Sequence, residues 1–123
     1  MISDDDYLDY VSNDFEPEMV VLFKILAVNS KNLLDIGANI GCTALLFSKL
    51  AENVWAFEPS PSTFSLLEEN INRSGLSNIH PQNIGLGVQQ CESTITFAPS
   101  NRSGGFISDQ TQASKGHVEV SRR

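Results

Sequence analysis

The sequence predicts an α/β fold in which a parallel sheet is flanked by helices, and three observations support this prediction. Short apolar runs that suit buried parallel strands occur at residues 33–36 and 54–57. The segments that follow each run carry apolar residues at helical spacing. A third apolar run lies at residues 79–84. The resulting order of strand, helix, strand, helix, strand is typical of a parallel sheet.

Length and composition indicate one domain with an acidic start. The chain has 123 residues and is 41% hydrophobic, which suffices for a single packed core. Seven of its fifteen acidic residues lie within residues 1–18, which contain no Lys or Arg. The remainder therefore contains eight acidic and eight basic residues and is formally neutral. We predict an acidic lead-in at 1–18 and a partial domain at 19–123. The lead-in is interpreted as solvated, with docking of a partner as the alternative.

Charge and composition also argue against several classes of protein. A neutral body without a Lys/Arg cluster lacks the electrostatic footprint of a nucleic-acid binder. No apolar run approaches the roughly 20 residues that span a bilayer, and no signal peptide is indicated. We therefore expect a cytoplasmic protein with no nucleic-acid or membrane partner. Neither Cys42 nor Cys91 has a second Cys or His at metal-ligand spacing, so no metal site is predicted.

The helices are predicted from apolar spacing and from residues that suit helix ends. Residues 19–28 form a nearly continuous apolar segment with one face composed of Met19, Leu22, Phe23 and Leu26. A second helix is expected directly after the glycine at position 41, with apolar residues recurring as far as position 50. A third is expected from position 61 to a glycine stop.

The ends of the third helix and the strands beyond it rest on particular residues. Ser60 suits an N-cap, Pro61 the first helical position and Gly75 the C-terminal stop. Pro81 lies in the third strand and predicts that this strand is at a sheet edge. Further on, residues 94–97 are predicted as a strand, residues 101–105 as a loop, and residues 118–120 as the start of another strand.

A glycine-rich turn follows the first strand, and a carboxylate ends the second. Gly37 and Gly41 allow a positive φ and close approach of the backbone to a ligand, and the helix start behind them favours an anionic group. Glu58 lies 21 residues after Gly37, at the tip of the neighbouring strand. Its two oxygens can accept hydrogen bonds from both hydroxyls of a ribose. The pattern therefore predicts a site for a ligand that contains ribose.

The spacing of the glycines favours S-adenosylmethionine over a dinucleotide. Dinucleotide sites use Gly-x-Gly-x-x-Gly, whereas Asn39 stands where the second glycine would be. Asp35 is a poor neighbour for a diphosphate and a good partner for the ammonium of a methionyl group. Two points stay open: Asp35 either contacts the ligand or caps the turn, and Asn39 either contacts the ligand or only adopts an unusual φ. A nucleotide-binding Rossmann domain is the weaker alternative.

These residues carry a resemblance to a known family. Residues 33–41, Leu-Leu-Asp-Ile-Gly-Ala-Asn-Ile-Gly, resemble the first motif of FkbM-type methyltransferases, and so does Phe-Glu-Pro-Ser-Pro at 57–61. The family's Leu…Asn-Ile…Gly helix pattern is matched by Leu67, Asn70, Ile71 and Gly75. The resemblance covers residues 33–87 and is fainter to position 120.

The resemblance implies a Rossmann-like methyltransferase fold that transfers a methyl group from S-adenosylmethionine, commonly to a hydroxyl of a small molecule or glycan. It assigns no catalytic residue. Carried over by position, the residues that line the methionyl end are Asp35, Gly37, Asn39 and Gly41. Glu58 then holds the ribose, and the turn at 83–85, with Ile84 at its centre, lies near the adenine.

The sequence departs from the family in one respect. Family members continue into a strand that ends in an Asp-x-Glu-Gly segment, and this chain contains no such segment, so the domain is predicted to be truncated. In the family's strand order the missing strand pairs with the first, which predicts an unpaired apolar edge at residues 33–36 and possible self-association there. A non-catalytic module for cofactor binding or assembly is the alternative to an enzyme.

Overall fold

The computed structural model describes residues 17–87, 92–98, 101–108 and 117–122. Its elements, in chain order, are α1 (Pro17–Ala27), β1 (Asn32–Ile36), α2 (Cys42–Phe47), β2 (Asn53–Phe57), α3 (Pro61–Ser74), β3 (Ile79–Gln82), β4 (Glu92–Ala98), β5 (Asn101–Ser108) and β6 (His117–Arg122). The acidic segment predicted at 1–18 lies outside the described residues as far as position 16, and its last two residues begin α1. None of the described helices is long and apolar enough to cross a membrane.

The predicted parallel sheet is confirmed. Its three strands lie in the order β1-β2-β3, and both neighbouring pairs are parallel. Leu33 of β1 is opposite Val54 of β2, which in turn is opposite Ile79 of β3. In the described residues β3 pairs only with β2, so Pro81 lies in an edge strand, as its missing N–H predicts.

The ends of α3 follow the predicted capping residues. Ser60 has an extended backbone, and its side chain accepts a hydrogen bond from the N–H of Thr63 at 3.3 Å. Pro61 then begins the helix. The helix ends at Gly75, which has φ +70° and so adopts a left-handed conformation that glycine tolerates without strain.

The second helix is shorter than predicted. α2 ends at Phe47, whereas apolar spacing suggested that it would reach Leu50. The N–H groups of Leu50 and Ala51 both donate to the carbonyl of Phe47, each at 2.9 Å. These bonds form a tight turn that directs the chain into β2.

Only part of the apolar face predicted for α1 is covered. Phe23 packs edge-to-face against Phe47 of α2 with ring centroids 5.1 Å apart, and Ala27 is buried. Leu22 and Leu26 were predicted on the same face, yet they are 44% and 68% exposed. The partner helix has only six residues, so it covers a narrow strip of α1.

The core lies on one face of the parallel sheet, under the helices. Its buried members are Ala27, Ala38, Ala44, Phe47, Ala51, Val54, Ala56, Leu67, Ile71 and Ile79. The opposite face, which we call the uncovered face, is formed at β1 and β2 by Leu34, Ile36, Trp55 and Phe57. Leu34 and Ile36 are 60% and 64% exposed. Parallel sheets are normally covered on both faces, so this surface is unusual for the fold.

A second, antiparallel sheet follows the first along the chain. Its strand order is β5-β4-β6. The strands predicted at 94–97 and 118–120 are confirmed within β4 and β6. The loop predicted at 101–105 is wrong, because these residues belong to β5. Asn101 and residues 106–108 pair with β4 on either side of a register shift, so the strand extends across the serine and glycines between them in spite of their low strand propensity.

Candidate functional site

The predicted site residues follow neighbouring strand ends. Ile36, the last residue of β1, is opposite Phe57, the last residue of β2. The N–H groups of Gly37 and Ala38 both donate to the carbonyl of Phe57, at 2.9 and 3.0 Å. The glycine-rich loop after β1 is therefore held directly against the segment that carries Glu58.

The loop adopts backbone conformations that account for both glycines. Gly37, Asn39 and Gly41 have φ of +79°, +51° and +104°. A Cβ on Gly41 would lie 2.9 Å from Cδ1 of Leu67, so the loop also packs closely on α3. A Cβ on Gly37 would meet no atom within 4 Å, which leaves the backbone open on that side. Gly41 is thus required by packing, and Gly37 borders open space.

The carboxylate of Glu58 connects the two loops. Its Oε2 accepts a hydrogen bond from the N–H of Asn39, and its Oε1 accepts one from the N–H of Ser60, both at 2.9 Å. The side chain is buried, with 8% exposure. Because each carboxylate oxygen accepts more than one hydrogen bond, this arrangement is compatible with two further donors from a ribose.

Asp35 lies on the helix-facing side of β1 and is 8% exposed. The hydroxyl of Thr43, in α2, donates to its Oδ2 at 2.6 Å. Burial raises the pKa of the Asp35 carboxyl above its ordinary value of 3.8, and the hydrogen bond from Thr43 opposes this shift. A buried carboxylate whose charge is only partly compensated is suited to a cationic partner.

Asn39 contributes both its backbone and its side chain. Its N–H binds Glu58, and its positive φ is one that asparagine tolerates better than most residues. Within the described part of the chain, its side-chain oxygen Oδ1 is buried and has no hydrogen-bond partner. Buried polar atoms are nearly always paired, so this oxygen fits the donor of a bound ligand. Of the two alternatives left open by the sequence, this unpaired oxygen favours contact of Asn39 with a ligand over a role limited to its unusual φ.

The segment after β3 is tied to the loop that carries Glu58. The side-chain amide of Asn83 donates to the carbonyls of Glu58 and Pro59, at 2.8 and 3.3 Å. Ile84, the predicted neighbour of the adenine, comes directly after this asparagine and is half-buried. The structure thus brings the third predicted segment to the same end of the sheet as the other two.

Three residues of the site make contacts that were not predicted from the sequence. Thr43 binds Asp35, Asn83 binds the Glu58 loop, and Asn70 donates to the carbonyl of Ile40 at 2.9 Å. Asn70 had a detectable signal, because it is a polar residue between two inward-facing residues of the α3 stripe. Thr43 had none, and Asn83 was predicted only as part of the turn near the adenine, because the partners of both are defined only by the folded chain.

Titratable groups in the described residues offer no obvious metal centre. No group of three or more His, Cys, Asp or Glu side chains lies close enough together there to hold a metal ion. His80 is on the uncovered face, where its ring lies 4.5 Å from that of Trp55 and its Nε2 is 3.1 Å from Oδ1 of Asn53.

Asp35→Asn is expected to stabilise the protein at neutral pH. Between the ordinary pKa and the raised one, the folded state retains a proton that the unfolded state has released. The free energy of unfolding therefore falls as pH rises through this window, and the penalty of the buried charge is complete above the raised pKa. The amide avoids that penalty at every pH. Urea unfolding should show a gain for the variant at neutral pH that disappears below 3.8.

The exposed Glu52 provides the control for this experiment. Glu52→Gln removes the same charge from the surface, so it should leave the free energy of unfolding nearly unchanged at neutral pH. If Asp35→Asn did not raise the free energy of unfolding relative to this control, burial of the charged carboxylate would not be destabilising the folded protein.

Comparisons with known proteins relate the chain to methyltransferases. No protein-family model matches the sequence. Over 85 residues, 69% of this chain, it is 38% identical to the hexuronic acid methyltransferase AglP of Haloferax volcanii, covering 34% of that protein. Over 69 residues, 54% of this chain, it is 32% identical to Methyltransferase 1 of Beauveria bassiana, covering 28% of it. The chain thus matches about a third of the length of these relatives.

A solved structure shows the same fold. The protein SMU.1697c of Streptococcus mutans, solved in complex with SAH, superposes with a TM-score of 0.52 at 16% identity. The match covers 56% of this chain and 39% of that one. The predicted Rossmann-like methyltransferase fold is therefore confirmed for the part of the domain that this chain contains.

Proposed function

We propose that this chain is the cofactor-binding half of an S-adenosylmethionine-dependent methyltransferase of the FkbM type. The observation that carries the proposal is the contact between Glu58 and the glycine-rich loop. One carboxylate bonds to Asn39 of that loop and to Ser60 after β2, in a chain related to methyltransferases. This contact brings the proposed ribose acceptor next to the loop that we propose for the methionyl group.

Each residue has a distinct part in holding the cofactor. Glu58 binds the ribose hydroxyls, and the segment containing Ile84 borders the adenine. Asp35 and the unpartnered Oδ1 of Asn39 bind the methionyl ammonium, because both are acceptors that suit a cationic donor. Gly37 lets the ligand approach the backbone on its open side. The methionyl end is thereby positioned between the first two strand ends.

Orientation is the contribution of these residues to methyl transfer. S-adenosylmethionine, when bound, supplies a methyl group already activated by its sulfonium. Holding such a group in line with an acceptor provides a large part of the rate enhancement. We assign binding and orientation to the residues described above, and we assign no catalytic base to them.

We propose a hydroxyl of a small molecule or glycan as the methyl acceptor. The AglP protein, by its name, methylates a hexuronic acid, and it is 38% identical over the matched segment. The acidic N-terminal segment and the neutral remainder, with no cluster of Lys or Arg, suit such an acceptor better than a nucleic acid. We propose the cytoplasm as the site of action.

Titration calorimetry tests the cofactor assignment directly. We expect heat of binding with S-adenosylmethionine and with S-adenosylhomocysteine (SAH), and none with NAD, because the loop lacks the glycine pattern that accommodates a diphosphate. Circular dichroism establishes that the sample is folded. A folded sample that gives no heat with either sulfur compound at millimolar concentration would refute the assignment.

The free edge of β1 supports a role in assembly as a second candidate function. In the described residues β1 pairs only with β2, and Leu34 and Ile36 beside this edge are exposed. We propose that a second copy pairs with β1, because an exposed apolar edge strand is a template for another strand. In such a pair Leu34 and Ile36 of the two copies lie side by side on the uncovered face, with no charged residue of that face between them. Sedimentation at increasing protein concentration measures this association, and a monomer throughout contradicts it.

A further inference from the structure

The carbonyl of Ile40, in the middle of the glycine-rich loop, is bound by a side chain from a distant helix. The amide Nδ2 of Asn70 donates to this oxygen at 2.9 Å, and the hydrogen bond is buried. Asn70 is 2% exposed and Ile40 is 1% exposed. Because Gly41 and Asn39 both have positive φ, the loop cannot satisfy this carbonyl by continuing as a helix or strand.

Asn70 occupies a position where an apolar residue would be expected. It lies in α3 between Leu67 and Ile71, which are 0% and 7% exposed and belong to the core. An amide is costly in such an environment unless it is hydrogen-bonded. Its bond to Ile40 contributes to that compensation and ties α3 to the loop that contacts Glu58 through Asn39.

The bond to Ile40 constrains both neighbours of that residue. On one side Gly41 packs against Leu67, three residues before Asn70 on α3. On the other side Asn39 directs its N–H to Glu58. The peptide between positions 40 and 41 is thus restrained by two residues of α3, Asn70 and Leu67. Asn39 precedes this peptide directly, so its orientation depends on the same contacts. Loss of the Asn70 donor leaves that peptide able to rotate and shifts the groups of Asn39.

We propose that Asn70 is a positioning residue for the cofactor site, acting through the carbonyl of Ile40. The proposal rests on the proposed function, because it concerns affinity for the same ligand. Asn70 binds the loop through the carbonyl of Ile40, and we assign it no contact with the cofactor. A purely structural Asn70 would affect the folded fraction of the protein, whereas a positioning residue also affects the affinity of the molecules that are folded.

Two substitutions of Asn70 separate these roles in titrations of the full chain with SAH. Asn70→Ser is too short to reach the carbonyl, so the dissociation constant should rise about 2- to 10-fold at every pH. Asn70→Asp keeps the shape but loses the donor when ionised. It should bind weakly at alkaline pH and recover towards wild type at acidic pH, where the introduced acid regains a proton and can donate to Ile40.

Controls isolate the donor from other effects. Asn72 is exposed on the same helix, so Asn72→Asp introduces the same charge and should retain wild-type affinity at all pH values. The two other carboxyls of the site, Asp35 and Glu58, are present in wild type and variants alike, so each variant is compared with wild type at the same pH. The calorimetric stoichiometry reports the folded fraction, so partial unfolding is measured separately from the dissociation constant.

The outcomes distinguish the two proposals. Wild-type protein that fails to bind SAH overturns the proposed function and this inference with it. Wild-type protein that binds, together with Asn70 variants of unchanged dissociation constant and reduced stoichiometry, overturns the inference alone. A pH-independent loss in Asn70→Ser and a loss in Asn70→Asp that recovers with acid support it.

Discussion

Glu58→Ala is expected to weaken SAH binding about 5- to 150-fold, the equivalent of about 1–3 kcal/mol. The substitution removes the proposed acceptor of the ribose hydroxyls. It also leaves the N–H groups of Asn39 and Ser60 without the carboxylate that bonds to both. Since a buried donor without a partner costs about 1–3 kcal/mol, the free energy of unfolding should fall as well. Titration calorimetry measures the first effect, and urea unfolding the second.

Glu58→Gln provides an intermediate case. The amide keeps one acceptor oxygen and replaces the other by a donor, so one of the two loop contacts is preserved and the other becomes repulsive. We expect its affinity and stability to lie between those of wild type and the alanine variant. Glu68 is exposed on α3, and Glu68→Ala should change neither quantity. Unchanged SAH affinity in Glu58→Ala would place the ribose elsewhere.

Gly41→Ala is expected to destabilise the protein by about 2–5 kcal/mol. The backbone at this position has φ +104°, and a left-handed conformation costs a residue with a Cβ about 1–2 kcal/mol. The new Cβ also lies 2.9 Å from Cδ1 of Leu67. Overpacking of this kind adds about 1–3 kcal/mol. The measurement is the free energy of unfolding in urea.

Gly37→Ala is the matched control, because it shares the positive φ and lacks the contact. Its loss should be about 1–2 kcal/mol, the backbone component alone. In a Leu67→Ala background the added loss from Gly41→Ala should shrink to that same value, since the clashing methyl group is gone. Equal losses for the two glycine variants in the wild-type background would show that the contact with Leu67 is not the cause.

The features predictable from sequence are those that depend on neighbours along the chain. Ser60, Pro61 and Gly75 set the ends of α3 through local backbone chemistry, and each is found in its predicted role. Pro81 identified an edge strand because proline lacks the N–H that a central strand needs. The order of strands and helices followed from the change in apolar period between segments.

The features that could not be predicted depend on contacts between distant segments. The loop expected at 101–105 belongs to β5, which pairs with β4 at Asn101 and at residues 106–108, and pairing partners are not visible in the local pattern. Glu58 was predicted as a ribose acceptor, yet its bonds to Asn39 and Ser60 require the folded arrangement of two loops. The hydrogen bond from Thr43 to Asp35 likewise joins α2 to β1, and how these two elements pack cannot be predicted from the local sequence.

The link between Asn70 and Ile40 has a consequence for the order of events during folding. The two residues are 30 positions apart, and Asn39 and Glu58 are 19 apart. Bringing residues so far apart in sequence together lowers the entropy of the chain, and this cost is offset only once the contacts between them have formed. The glycine-rich loop therefore acquires its final shape only after α3 has docked, although it precedes α3 along the chain. A nascent chain that ends before α3 lacks the Asn70 donor that holds the carbonyl of Ile40 in this loop.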